Sequence, residues 1–152
     1  MTTFALSGFL TNTIATLGAS ASLSSFTIYD GIDLDMSYPN DFIAVAHDGS
    51  DGEFDMTVAT GHNSYLTFAE GHEESVSVPC LLVCQDGSSS WSDLRSRAYV
   101  GLSALDTVIR ANSSMTASVL NCFVDSHSLS YRATNSGNGV IIRFSISYIA
   151  AT

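Results

Sequence analysis

Apolar residues at Leu6, Leu10, Ile14 and Leu17 recur at helical spacing and predict an amphipathic helix that stops at Gly18. The rhythm then changes to alternation. Phe26-Thr27-Ile28-Tyr29 predicts a short strand ending at Asp30-Gly31, and Phe42 to His47 predicts a second, followed by the turn Asp48-Gly49-Ser50-Asp51-Gly52. Phe54, Met56 and Val58 alternate with Asp55, Thr57 and Ala59, which predicts a third strand with one wet face. Val76, Val78, Cys80, Leu82 and Cys84 alternate through a fourth. Pro79 lies inside it and has no N–H for a ladder, so a bulge or an edge is expected there.

Asp86-Gly87 closes that strand, and Ser90 with Asp93 three residues on has the form of a helix cap. Leu94, Ala98, Leu102, Leu105 and Ile109 then follow at helical spacing until Asn112-Ser113-Ser114. Two long strands finish the chain, Ala117 to Ala133 and Val140 to Ala150, with turn residues Asn135-Ser136-Gly137-Asn138-Gly139 between them. In the last, Val140, Ile142, Phe144, Ile146 and Tyr148 face one way, and Arg143, Ser145 and Ser147 the other. The order α-β-β-β-β-α-β-β predicts an α+β fold: one domain over residues 1–152, with a mostly antiparallel sheet of about six strands and two helices packed on one face.

Composition adds a constraint on partners. Of the 152 residues 45% are hydrophobic and only 13% charged, enough to bury a core and too little charge for disorder. There are five Arg, no Lys and fifteen acids, a formal net charge of −10. Eleven of the acids fall between Asp30 and Glu74, a stretch without a single Arg or Lys, whereas all five Arg come later. Such a balance excludes a grip on nucleic-acid phosphates or on an anionic membrane, both of which need a basic face. No apolar run is long enough to span a bilayer. No basic residue precedes the apolar start of the chain, so it is read as a helix of a cytosolic product rather than as a leader.

Catalytic patterns do not occur: there is no G-x-S-x-G, no P-loop and no G-x-G-x-x-G. His47, His62, His72 and His127 have no Cys or His at ligand spacing, so neither a metal nor a cofactor is expected. A small hydrolase would need His127 or another His beside a nucleophile. Cys80, Cys84 and Cys122 form no even framework and are expected as free, buried thiols. The run Asp48-Gly49-Ser50-Asp51-Gly52-Glu53-Phe54-Asp55 invites comparison with a calcium loop, although its carboxylates miss the EF-hand spacing. A calcium-dependent binding module is therefore one alternative, a solvated hairpin turn another. Collectively, the acids could also form a like-charged lining past which nucleic acid slides without sticking.

The layout resembles the tail terminator proteins of long non-contractile-tailed phages. The resemblance rests on a leading amphipathic helix, Tyr29-Asp30-Gly31 and Asp41-Phe42-Ile43-Ala44-Val45-Ala46-His47-Asp48-Gly49. In the second half it rests on Glu73-Glu74, the helix with Arg97-Ala98 and Leu105, and the closing hairpin with Arg143-Phe144-Ser145-Ile146. It spans nearly the whole chain, through element order and these positions rather than through one motif. What it implies is a virion protein without catalytic residues, assembled in the host cytoplasm. Such a protein forms a homo-hexameric ring on the tail tube protein and presents a docking face to the head completion protein. DNA would pass through the lumen without specific binding, and Asp48, Asp51, Glu53 and Asp55 become candidate channel-lining acids. A head–tail completion (neck) protein or a tail tube protein is the nearest alternative.

Overall fold

A computed structural model describes residues 4–31, 40–49, 58–65, 71–134 and 137–151. The longest helix, α2 (Trp91–Ala111), starts where the Ser90 side chain accepts a hydrogen bond from the Asp93 N–H. Asp93 in its first turn and Arg110 in its last complement the helix dipole. Leu94, Ala98, Leu102, Leu105 and Ile109 all face the core, as their spacing predicts, and Gly101 joins them. A Cβ at Gly101 would come within 2.5 Å of the Phe26 ring, so glycine is what lets the helix lie this close to the sheet.

Helix α1 (Leu6–Ala19) fits its sequence signal less closely. Its buried residues are Phe9, Thr13 and Leu17, while Leu6, Leu10 and Ile14 are only half-buried. Leu17 of the predicted stripe is fully buried and Leu6, Leu10 and Ile14 pack against the core from its margin, so the buried face is shifted toward Phe9. Two apolar stripes lie side by side on this helix, and tertiary packing chooses between them: Phe9 settles on Tyr148 with ring centroids 4.3 Å apart. A 3₁₀ turn, Ala21–Leu23, leads into the sheet.

The sheet holds β1 (Thr27–Asp30), β2 (Asp41–Val45), β3 (Thr60–Tyr65), β4 (His72–Asp86), β5 (Val119–Thr134) and β6 (Gly137–Ala151). Their order is β1-β2-β4-β6-β5, antiparallel throughout except for the parallel pair β1–β2. Strand β4 is long enough to take two partners along one side. Its residues 80–84 pair with β2 and its residues 72–77 with β3, while β6 runs along the other side. Pro79 sits in the gap between the two partners, so the edge expected there exists and a bulge does not: Pro79 stays in register with Ser145 of β6. The described strand β3 begins just after the run whose alternation predicts the third strand. Its predicted residues Phe54 and Met56 lie outside the described residues, and Val58 precedes the observed strand.

Both helices cover one face of the sheet, and the core lies between the layers, with Val140, Ile142, Phe144, Ile146 and Tyr148 all buried in it as their alternation requires. On the other face Phe42, Ala44, Leu81 and Val83 form a small second cluster. Strand β2 is thus buried on both faces, which explains its unbroken apolar run.

A buried polar contact ties helix α1 to the sheet. Helix α1 has no side-chain cap and no acid in its first turn. Its N-cap, Ala5, instead donates its N–H to Glu74 Oε2 at 3.2 Å, and the Tyr148 hydroxyl donates to Glu74 Oε1. Glu74 is 2% exposed, yet both its oxygens accept a hydrogen bond, and the arrangement places an acidic group at a helix N-terminus. Burial, and then the Glu74 carboxyl beside it, pushes the Tyr148 hydroxyl well above its usual range, so it remains a donor.

Replacing Glu74 by Gln sets an amide NH₂ against one of the two donors. We expect a loss of about 2 kcal/mol in chemical unfolding, with hydrogen-exchange protection falling first at the start of α1. An unfolded tyrosine ionises near pH 10 whereas folded Tyr148 does not. Stability contributed by this group is therefore complete below pH 10 and lost as pH rises beyond it. A Tyr148→Phe variant should lack that share of the alkaline loss when urea midpoints are compared on either side of pH 10. By contrast, the Thr13 hydroxyl is fully buried and, among the described residues, has no hydrogen-bond partner. Thr13→Val keeps the shape and removes the orphan hydroxyl, and should stabilise the protein by about 1 kcal/mol, read as a rise of about 2–4 °C in Tm.

Candidate functional site

The chain leaves β2 through a tight turn. Ala46 adopts φ 61°, an uncommon left-handed conformation for a side-chain-bearing residue, and Gly49 adopts φ 85°. Between them the His47 N–H donates to the Pro79 carbonyl at 2.9 Å, in the gap that β2 and β3 leave along β4. The Gly49 N–H in turn donates to His47 Nδ1 at 2.9 Å. A ring nitrogen that accepts cannot also carry a proton, so this imidazole is neutral with its hydrogen on Nε2. Burial lowers its pKa, the nearby Asp48 carboxylate opposes that shift, and Arg143 adds to it.

Asp48 lies on this turn, exposed to solvent. It alone of the four candidate channel-lining acids falls within the described residues; Asp51, Glu53 and Asp55 lie outside them. Asp30 is exposed at the end of β1. Two other members of the acidic stretch are engaged internally. Glu74 holds α1, and Asp41 is gripped by Arg97 of α2, with Nε 2.8 Å from Oδ2 and Nη2 2.9 Å from Oδ1. Arg97 also reaches Asp86 at 3.5 Å. The absence of basic residues from positions 30–74 therefore does not leave every acid there unopposed: Arg97 is distant in sequence and adjacent in space.

Other groups with chemical potential are quiescent. Burial pushes the Cys80 thiol up to about 12, and burial together with Asp41 does the same for Cys84. Burial also raises Cys122, and all three are free and protonated. The His127 ring sits against Tyr99, with Nδ1 3.4 Å from the phenol oxygen. Among the described residues no group of three or more His, Cys, Asp and Glu could hold a metal ion, and no helix is long and apolar enough to cross a membrane.

What the molecule does present is surface suited to other proteins. Strands β1 and β5 end the sheet, and β5 exposes a sixteen-residue edge interrupted by register shifts at Val119/Asn121 and Val124/His127. Such irregularities blunt an edge against indiscriminate pairing without covering it. Leu120 and Phe123 on β5 and Val100 on α2 are large apolar residues left in solvent. Towards the other end of β5, Tyr131 stacks on Trp91 and accepts a hydrogen bond from Arg95 at 2.7 Å. No spacing rule in the sequence singles these residues out, because an exposed apolar residue on an alternating strand reads like an inward one.

Neither a family model nor a characterised protein matches the sequence. The fold does have a counterpart among solved structures: a chain of the virion of a native gene transfer agent particle, with a TM-score of 0.62. The likeness covers 93% of this chain and 93% of that one at 8% sequence identity, so the fold is shared from end to end while the side chains are not.

The neutral state of His47 has a measurable consequence. Its folded pKa lies below the unfolded value of 6.5, so the stability it contributes is present above pH 6.5 and lost as pH falls below it. His47→Asn keeps an acceptor for the Gly49 N–H and cannot take up the proton. Urea midpoints measured at pH 7.5 and 5.5 should drop further for the wild-type chain than for this variant.

Proposed function

We propose that the chain is a structural subunit of a virion, and within it a tail terminator: a ring that caps the tail tube and forms the head-docking end of the tail. The observation that carries this reading is the end-to-end likeness to a chain of a virion particle. A match covering 93% of both chains equates whole subunits, not a common substructure embedded in unrelated proteins. The surfaces support it. The molecule offers a sheet edge and exposed apolar residues for assembly, and its thiols are buried and protonated.

In this reading six copies close into a homo-hexamer, with the tail tube protein on one side and the head completion protein on the other. The protein is not an enzyme, works in the virion tail and is assembled in the host cytoplasm. DNA passes through the ring without being gripped, which suits a chain of net charge −10. Asp48, Asp51, Glu53 and Asp55 are the acids assigned to the lumen.

Native mass spectrometry of the concentrated protein, alone and with purified tail tubes, tests the ring. A six-fold mass, formed unaided or on addition of tubes, is the expected outcome. A monomer under every condition, or an open series of ever larger polymers, would contradict it; the latter is the behaviour of a tube protein.

A further inference from the structure

We infer that the sheet face turned away from the helices carries a socket, built around Arg143, that takes an Asp or Glu side chain of a second copy of this chain. The inference rests on the ring reading above and supplies it with a specific contact. The socket is a depression of about 310 Å³ whose wall includes His47, Asp48, Ser126, Ser128, Arg143 and Ser145. Arg143 stands on β6, paired with Leu81 of β4 on one side and Ser128 of β5 on the other, in the middle of the sheet.

Its guanidinium is held in place. Nη1 donates to Ser130 Oγ at 3.1 Å, and Nε lies against Gly49 so closely that a Cβ there would come within 2.6 Å of it. The turn that follows β2 thus gives up a side chain where the arginine rests. One of five N–H donors is used, and among the described residues no carboxylate pairs with the group. That is unusual company for a half-buried arginine in a chain with three acids for each arginine. Arg97 and Arg110, by comparison, are both ion-paired. His47 adds a second donor to the same wall, because Nδ1 is occupied by Gly49 and the hydrogen sits on Nε2. The serine hydroxyls complete a donor-rich lining.

A planar carboxylate matches a single immobilised guanidinium in shape and charge. Phosphates of a nucleic acid do not suit the place, since they need several cations and the wall offers a single arginine. The occupant is a second copy because the chain itself has the complementary excess: fifteen acids against five arginines, eleven of them in a stretch with no basic residue. A socket on one copy and an acid elsewhere on the next make a heterologous contact, the kind that closes a ring.

The chain has no lysine, and that permits a direct test. Arg143→Lys introduces the sole side-chain amine, which a zero-length carbodiimide joins only to a carboxylate touching it. Cross-linking an equal mixture of ¹⁵N-labelled and unlabelled Arg143→Lys protein, with wild type as the background for the terminal amine, should give isotope-mixed peptides linking position 143 to an Asp or Glu. Arg143→Gln should raise the concentration at which the ring half-assembles by about tenfold or more, with the melting of the subunit unchanged. If the Gln variant melts early, the cross-link from the Lys variant decides alone. An assembled ring with cross-links only within one copy, or a well-folded Gln variant that assembles at the wild-type concentration, would overturn the socket and leave the ring standing. A wild-type chain that never assembles would overturn both.

Discussion

The architecture turns on a buried carboxyl group that serves two masters. Glu74 is in the sheet, yet its oxygens are claimed by the first backbone amide of helix α1 and by the hydroxyl of Tyr148. A buried acid with an unclaimed oxygen would cost several kcal/mol; with both satisfied it becomes a clasp that only one docking of α1 can close. The helix has no cap of its own, so its start is defined by a residue 69 positions away. Once Ala5 is fixed, Phe9 falls on Tyr148 and the rest of the buried stripe, Thr13 and Leu17, follows. The same clasp explains why a fully buried hydroxyl at Thr13 is tolerated: the helix cannot rotate to free it without releasing Glu74.

This dependence marks where the sequence can and cannot be read. Helix α2 and strand β6 were legible because each has one apolar face, one polar face and local stop signals. Helix α1 was legible as a helix, with Leu17 in its buried stripe, but the full burial of Phe9 was not, because Tyr148 at the far end of the chain draws it in. Strand β3 escaped because Thr60–Tyr65 has little alternation of its own and is defined by pairing with β4. For the candidate site, the acidic stretch was visible as composition, whereas the withdrawal of Asp41 and Glu74 into Arg97 and α1 was not. Asp48 was visible as an acid in a turn. The turn's role in seating Arg143 was not, because it depends on a missing Cβ at Gly49 across the sheet.

The proposed function draws on the outside of the molecule. The sheet ends in a long, kinked edge at β5, one arginine lies in a donor-lined depression on the face without helices, and the carboxylates outnumber the cations threefold. In the ring proposed above, these features would serve a subunit whose neighbours are copies of itself. The fold is shared end to end with a virion chain at 8% identity, so the frame is kept while the side chains are not.

The central claim is that this subunit caps a tube, and electron microscopy of purified tail tubes mixed with the protein tests it most directly. The account predicts a single ring at one end of each tube, and tubes whose length no longer grows once it is bound. Tubes with bare ends, or protein scattered along their sides, would contradict it.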